Sequence, residues 1–469
     1  MTNNAQTGSG RLELIKGLGA WAAMAMVVGH IIGTGVFLVP TSMAKATDSV
    51  GLIFLVWVVG GALSLAGALT VAELGAAMPE AGGAYIYLKR GFGPTWGFLF
   101  GWMNNLVGKP ASISTIAAGF LIFLSFFFEW VKNPIFTLHI PMPFAEQPYE
   151  FVFTWAQPLA ALAIAFVTFI NYLGVRLAGR LQVVLTCIKI GAILALVVLG
   201  FLLAEHGATS STPLFPAPLN LGLLGGFLTA MVGALWAYDG WIDLTFAGSE
   251  VQEPQKNIPR AVVGGTVTVG IIYLLANAVY FHVLPIEAVK ATSNVATATV
   301  RAFAGDNAAA WITAAMVISA FTTLNSSILT GARVPYAMAR DRLFFRVADG
   351  IHPKFRTPGG ALFFQGTMAS AMVLTGQFED LFSLFIFAQW IFYALTVASL
   401  FGLRKREPDL PRPYHAIGYP IVPAIFVLGA TALTVNLYIQ RPMRSTIGLA
   451  LVLSGLFFYQ RWKHRSEPA

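Results

Sequence analysis

The chain has 469 residues, of which 57% are hydrophobic and only 11% charged, against roughly 25% charged in an ordinary soluble domain; this excludes a soluble globular fold and indicates an integral membrane protein. The net charge of +8 raises nucleic acid as a partner, but the basic residues lie in short loops between apolar runs, which argues against it. The lone cysteine, Cys187, falls in a later apolar run, so there is no disulfide framework or metal cluster to read and no disulfide-linked partner subunit is expected.

The first apolar segment, of about 26 residues, follows a polar tail with little positive charge and is not followed by an A-x-A-like cleavage site. It is too long for a signal-peptide core and is expected to be retained as the first span. Hydropathy then predicts an all-α protein of twelve transmembrane helices, at about 19–44, 51–77, 94–128, 154–175, 178–204, 221–248, 261–284, 308–338, 360–377, 381–402, 417–438 and 445–462. Placing the N-terminal tail and alternate loops on one side, from Arg11 and Lys16 to Arg461, Lys463 and Arg465, collects 21 of the 29 basic residues. The opposite loops hold Lys45, Lys132, Lys290, Arg301, Arg441 and Arg444. By the positive-inside rule both termini are expected in the cytoplasm, as an even number of spans requires. Lys109 and Lys189 remain, both inside predicted helices, where each costs at least ~2.5 kcal/mol at the bilayer centre unless it meets water or a partner.

Two segments are interrupted. In the first, Gly33-Thr34-Gly35 stands near mid-span, and glycine costs a helix roughly 1 kcal/mol relative to alanine. A helix broken there frees backbone groups that lipid tolerates only around a cavity or inside protein, so the stretch reads as an opened turn at a ligand site, with the positive end of the second half-helix facing an anion. The alternatives are a glycine-lined packing face and a nucleotide loop, the latter disfavoured because the third glycine of G-x-G-x-x-G is missing and residue 38 is Leu. The sixth segment has Asp239-Gly240 in mid-span. Breaks at matching positions five helices apart are the pattern of an inverted-repeat transporter with a midplane site. The chain is therefore expected to be a single transporter domain over 1–469, with repeat halves at about 19–204 and 221–402 and two extra helices at about 417–462.

Four motifs in order resemble one family: Ile31-Ile32-Gly33-Thr34-Gly35, Glu73-Leu74-Gly75 to Gly82-Gly83-Ala84-Tyr85, Trp236-Ala237-Tyr238-Asp239-Gly240-Trp241, and Asn325 to Met338-Ala339-Arg340-Asp341. They resemble the amino acid-polyamine-organocation superfamily, and within it the L-amino-acid transporter family with its bacterial exchangers. The resemblance implies a LeuT-type 5+5 inverted repeat and an amino acid substrate, which periodicity alone does not name. It implies that Gly33, Thr34 and Gly35 offer N–H groups to the substrate carboxylate. The carbonyls of Ile31, Trp236, Ala237 and Asp239 would hold its ammonium, and Trp236 would close over it. Lys189 would replace a sodium ion, bound to carbonyls near Gly29 and to hydroxyls among Thr322, Thr323 and Ser326. Lys109, before Pro110, would line the inner cavity or brace helix ten. No cofactor or metal is implied.

Two positions depart from the family: His30 stands where a small polar residue is usual, and Asp239 where many animal members have glycine. A mid-membrane histidine titrates near neutral pH or sits neutral in the bundle. Asp243 either receives a cation or proton with Asp239, or caps the second half-helix. Glu73, Glu80, Glu250 and Glu253 near Arg176, Arg180, Arg340 and Arg342 form gate pairs or ordinary headgroup charge. The leading expectation is a sodium-independent exchanger of neutral L-amino acids in the plasma membrane; the alternative is a proton-coupled symporter of the same fold. An enzyme is disfavoured because the histidines form no metal-ligand spacing, and a channel because no ring-forming filter sequence is present.

Overall fold

The structure, a computed structural model, describes residues 12–140, 149–204, 215, 221–375 and 378–466. Arg11 and the end of the predicted ninth helix at 376–377 lie outside them. In chain order the helices are α1 (Ala20–Ile31), α2 (Gly35–Thr47), α3 (Val50–Ala77), α4 (Ala84–Phe92), α5 (Pro94–Met103), α6 (Lys109–Leu124), α7 (Ala156–Tyr172), α8 (Val175–Leu203) and α9 (Leu221–Ala237). They continue as α10 (Pro254–Val283), α11 (Ile286–Ala291), α12 (Val295–Gly331), α13 (Arg333–Arg340), α14 (Gly359–Thr375), α15 (Phe378–Arg406), α16 (Ile421–Gln440) and α17 (Pro442–Ser466). Among the described residues nine helical stretches are long and apolar enough to cross a membrane, and Ala156–Tyr172 and Gly222–Ala237 are shorter apolar helices. The chain is a multi-pass membrane protein.

The predicted first span is two helices, α1 and α2, separated by Ile32, Gly33 and Thr34. The third is α5 and α6 joined by a wide π turn, Asn104–Gly108, immediately before Lys109-Pro110; Pro110 has no N–H to continue a regular ladder. Four predicted boundaries need correction. The sixth helix does not run to 248: α9 stops at Ala237, and Asp243–Phe246 and Gly248–Glu250 form single 3-10 turns. Gly240 sits at φ 115° and Glu253 at φ 42°, left-handed conformations that a continuous helix does not contain. The seventh helix starts at Pro254 rather than 261, since proline suits the first helical turn. The third ends at Leu124, not 128, and a hairpin follows, β1 (Pro134–Ile140) antiparallel to β2 (Tyr149–Thr154), built from β-branched and aromatic residues. Before the eighth predicted helix, α12 already begins at Val295 and bends at Gly305, φ 78°.

The site is positioned by the partners of α1, which packs on α8, α10 and α12, while α12 also packs on α6 and α8. At the end that carries Glu73 and Arg333 the buried interior is ionic. Arg333 donates to both carboxylate oxygens of Glu250, at 2.6 and 3.0 Å, with both side chains buried. Glu73 receives Arg404 at 2.9 and 2.6 Å and the Ala416 amide at 2.6 Å. Glu73 and Glu250 are thus buried acids, and the arginines they meet are Arg404 and Arg412 at Glu73 and Arg333 at Glu250, not the four expected neighbours.

Candidate functional site

The two breaks meet. A Cβ on Gly35 would lie 2.8 Å from both Cα and Cβ of Ala237, and a Cβ on Gly240 would lie 2.3 Å from His30 Cδ2. Only glycine permits these approaches. Between the breaks lies a small cavity, about 30 Å³ of it open to water-sized molecules, lined by His30, Ile31, Gly33, Thr34, Gly35, Ser112, Ile116, Trp236, Ala237, Asp239 and Thr323. All seven substrate positions expected from sequence are on this wall.

The wall carries both donors and acceptors. Gly33 donates its N–H to Ile31 O at 2.8 Å, so its amide is engaged. The amides of Thr34, Gly35 and Val36 have no backbone acceptor among the described residues, as the first turn of α2 dictates. Thr34 Oγ1 is buried without a partner. The Tyr273 hydroxyl lies 2.7 Å from Ile31 O and 2.8 Å from Ala237 O. Its single hydrogen serves one of these carbonyls at a time.

Behind the break, Lys189 Nζ is buried and meets Gly29 O at 2.9 Å, Ile32 O at 2.5 Å, Ser319 O at 3.2 Å and Thr323 Oγ1 at 3.4 Å. Among the expected hydroxyls, Thr323 is the direct partner. Thr322 instead donates to Ile318 O at 2.7 Å, and Ser326 lies 3.3 Å from His30 Nδ1. Ser319, whose carbonyl and hydroxyl both face this end of α1, was missed.

Lys109 departs furthest from expectation. Its ammonium is bonded to Asp243 Oδ2 and lies 5.6 Å from the Phe246 ring centre, so its partners are on the turns after the break in the sixth segment rather than on helix ten. The same Asp243 oxygen is 3.0 Å from His30 Nε2. Asp243 therefore caps no helix: its Oδ2 is taken by Lys109 and His30, and its Oδ1 has no hydrogen-bond partner. Asp239 is not on one helical face with it but receives the Tyr393 hydroxyl at 2.5 Å. Neither the His30–Asp243 contact nor Tyr273 carried a sequence signal, because His30 and Asp243 are 213 residues apart and Tyr273 lies 242 and 36 residues from Ile31 and Ala237, beyond any local pattern.

The sequence profile of the amino acid permease family matches residues 18–457. A serine/threonine exchanger of Bacillus subtilis (strain 168) is 30% identical, aligned over 96% of this chain and 98% of its own. A b(0,+)-type amino acid transporter 1 of Homo sapiens is 32% identical over 96% of this chain and 89% of its own, and a large neutral amino acids transporter small subunit 2 of Mus musculus is 31% identical over 99% and 84%. With a family match over nearly the whole chain, the protein belongs to the amino acid permease family of the amino acid-polyamine-organocation superfamily.

Proposed function

We propose that this protein is a sodium-independent exchanger of neutral L-amino acids, working by alternating access around the cavity between α1–α2 and α9. The observation that carries the substrate assignment is the polarity of that cavity. Open amides at Thr34, Gly35 and Val36 sit at a helix N-terminus and suit a carboxylate. Ile31 O and Ala237 O share one hydroxyl hydrogen, and an ammonium with three N–H groups can join or displace that hydroxyl, Ile31 O keeping the Gly33 amide as well. Gly33, Trp236 and Asp239 complete the wall, with the Trp236 and Asp239 carbonyls as further acceptors and the indole as the closing ring. Relatives named as a serine/threonine exchanger and as amino acid transporters support exchange rather than net uptake, and transport rather than enzymatic turnover. Small neutral side chains suit a wall containing Ser112 and Gly35.

Lys189 supports the absence of sodium: four oxygens converge on one fixed ammonium, the arrangement a bound cation otherwise requires. In this reading the twelve helical segments span a plasma membrane with both termini cytoplasmic, as one domain of two five-helix halves at about 19–204 and 221–402 plus two helices at about 417–462. No cofactor and no disulfide-linked partner enter the cycle. The test is uptake of labelled L-serine into proteoliposomes. Vesicles preloaded with amino acid should take it up fast, vesicles without it slowly, and choline in place of Na⁺ should change neither. An α-methyl ester or N-acetyl analogue should compete poorly; an ester that inhibits as well as serine refutes the orientation.

A further inference from the structure

We infer that His30 is a proton-binding site coupled to substrate, so that closing the cavity on a neutral amino acid takes up a proton. The inference rests on the exchanger reading of the cavity and adds a second ligand to it. His30 is buried on α1, two residues before the break, and its ring joins two elements. Nε2 is 3.0 Å from Asp243 Oδ2, on the turn that follows the other break. Nδ1 is 3.3 Å from Ser326 Oγ on α12.

This surrounding accepts both protonation states. A neutral imidazole donates from Nε2 to Asp243 and accepts the Ser326 hydroxyl at Nδ1. An imidazolium donates from both nitrogens, and Ser326 then turns its hydrogen to Met26 O, 3.4 Å away. Neither form leaves a buried ring nitrogen unpaired, which ordinarily decides the state of a buried histidine. Asp243 also keeps a buried oxygen, Oδ1, without a hydrogen-bond partner, so its carboxylate has capacity beyond Lys109 and His30.

The charged and titratable groups facing the ring come from every neighbour of α1. Lys109 on α6 shares Asp243 Oδ2 and opposes a second cation there. Lys189 on α8 lies behind α1 on Gly29 O and Ile32 O and opposes it too. Asp239, on the cavity wall with His30, favours it, with Tyr393 of α15 bonded to its Oδ1. On α10, Tyr273 faces Ile31 O. Two cations thus stand against two carboxylates around the ring.

The sign of the coupling follows. An imidazolium–carboxylate bond is stronger than the neutral one, and it ties α1 to the turn after α9, so the proton favours the arrangement with both breaks together. A zwitterion favours the same arrangement by bridging the α2 amides and the Ile31 and Ala237 carbonyls. Its carboxylate lies on the turn that follows His30 and favours the imidazolium, its ammonium on Ile31 O opposes it, and the coupling therefore comes from the shared preference for the closed arrangement. Two ligands that favour one state bind with positive coupling, commonly about 5- to 150-fold.

The test is binding of labelled L-serine to purified protein between pH 5.5 and 7.5, together with proton uptake from weakly buffered solution on adding serine. Affinity should rise at least about fivefold toward pH 5.5, with a fraction of one proton taken up per site. H30Q, whose amide keeps a donor and an acceptor but does not titrate, should give a flat pH profile whatever its affinity. S326A, which removes the group that lets Nδ1 switch from acceptor to donor, should move the dependence to lower pH. Flat binding and no proton uptake in the unmodified protein overturn the inference without any variant, and so does a slope retained in H30Q. Exchange that is present but independent of pH refutes only the proton site; absence of exchange from preloaded vesicles at every pH refutes the exchanger reading itself.

Discussion

Removing the Arg333 guanidinium should expose how the structure holds its buried charge. Arg333 and Glu250 are joined by two hydrogen bonds of 2.6 and 3.0 Å, and both side chains are at most 1% exposed. Taking away one member of such a pair leaves a carboxylate with neither water nor counter-ion, a loss of about 3–5 kcal/mol. Replacing both by apolar residues removes the desolvation cost together with the attraction, and the result is often close to neutral. Arg333→Met should therefore lower the unfolding free energy by about 3–5 kcal/mol, and Arg333→Met with Glu250→Leu should recover most of it. Unfolding by SDS titration of protein purified in mild detergent, followed by intrinsic fluorescence, measures both. A single variant as stable as the parent, or a double variant no better than the single, would refute the reasoning and return the pair to ordinary surface charge. Glu250 also lies on the 3-10 turn Gly248–Glu250, whose backbone pairs with Leu18 at 3.0 Å, so the single variant should loosen that segment first, seen as faster hydrogen exchange at residues 246–252.

Three further outcomes are expected. Lys189→Ala should stay folded, because Thr323 Oγ1 remains 3.1 Å from Gly29 O and 3.2 Å from Ile32 O, yet exchange should slow at least about tenfold, equivalent to ~1.4 kcal/mol; a monodisperse variant with unchanged rates would sink the role given to the ammonium. Gly35→Ala places a methyl 2.8 Å from Ala237, an overpacking of about 1–3 kcal/mol in the closed arrangement, so serine affinity should fall roughly tenfold, and unchanged affinity would show that the breaks need not touch. Gly29→Ala meets Gln182 Nε2 and Thr186 Oγ1 at 2.4 Å and should lower thermal stability, checked by size-exclusion after heating; a melting profile like the parent's would contradict that packing.

What the sequence showed depended on whether the cause was local. The opened turn at Gly33-Thr34-Gly35 was legible because glycines in an apolar run carry their own signal, and so were the apolar spans. The end of α9 was misjudged because Trp241 to Gly248 is apolar enough for a helix; what stops it is Gly240 at φ 115° packed on the His30 ring, a contact between segments. The seven wall residues followed from family likeness plus the polarity of a helix break. The Lys109–Asp243–His30 cluster did not, since each charge alone reads as tolerated or solvated and only the fold brings them together. Thr322 was offered as a Lys189 partner because it neighbours Thr323, but adjacent helical residues point about 100° apart.

A broken helix inside a membrane is stable only if its freed groups find partners, and here the two ends of the break are treated differently. The carbonyl end of α1 is engaged by its neighbours: Ile32 O receives Lys189 and Ser319, Gly29 O receives Lys189, the single Thr323 hydrogen serves one of these two at a time, and Ile31 O receives Gly33 and Tyr273. The amide end of α2 is left without backbone acceptors at Thr34, Gly35 and Val36. Anion recognition then adds bonds where none exist, while ammonium recognition must join or displace a tyrosine hydroxyl already in place. The donors that engage the carbonyl end come from α8, α10 and α12, so any movement of α1 must break those bonds and remake them. The turn is thereby tied to the surrounding helices on one side and open to a ligand on the other, which is the asymmetry a substrate-driven change of access requires.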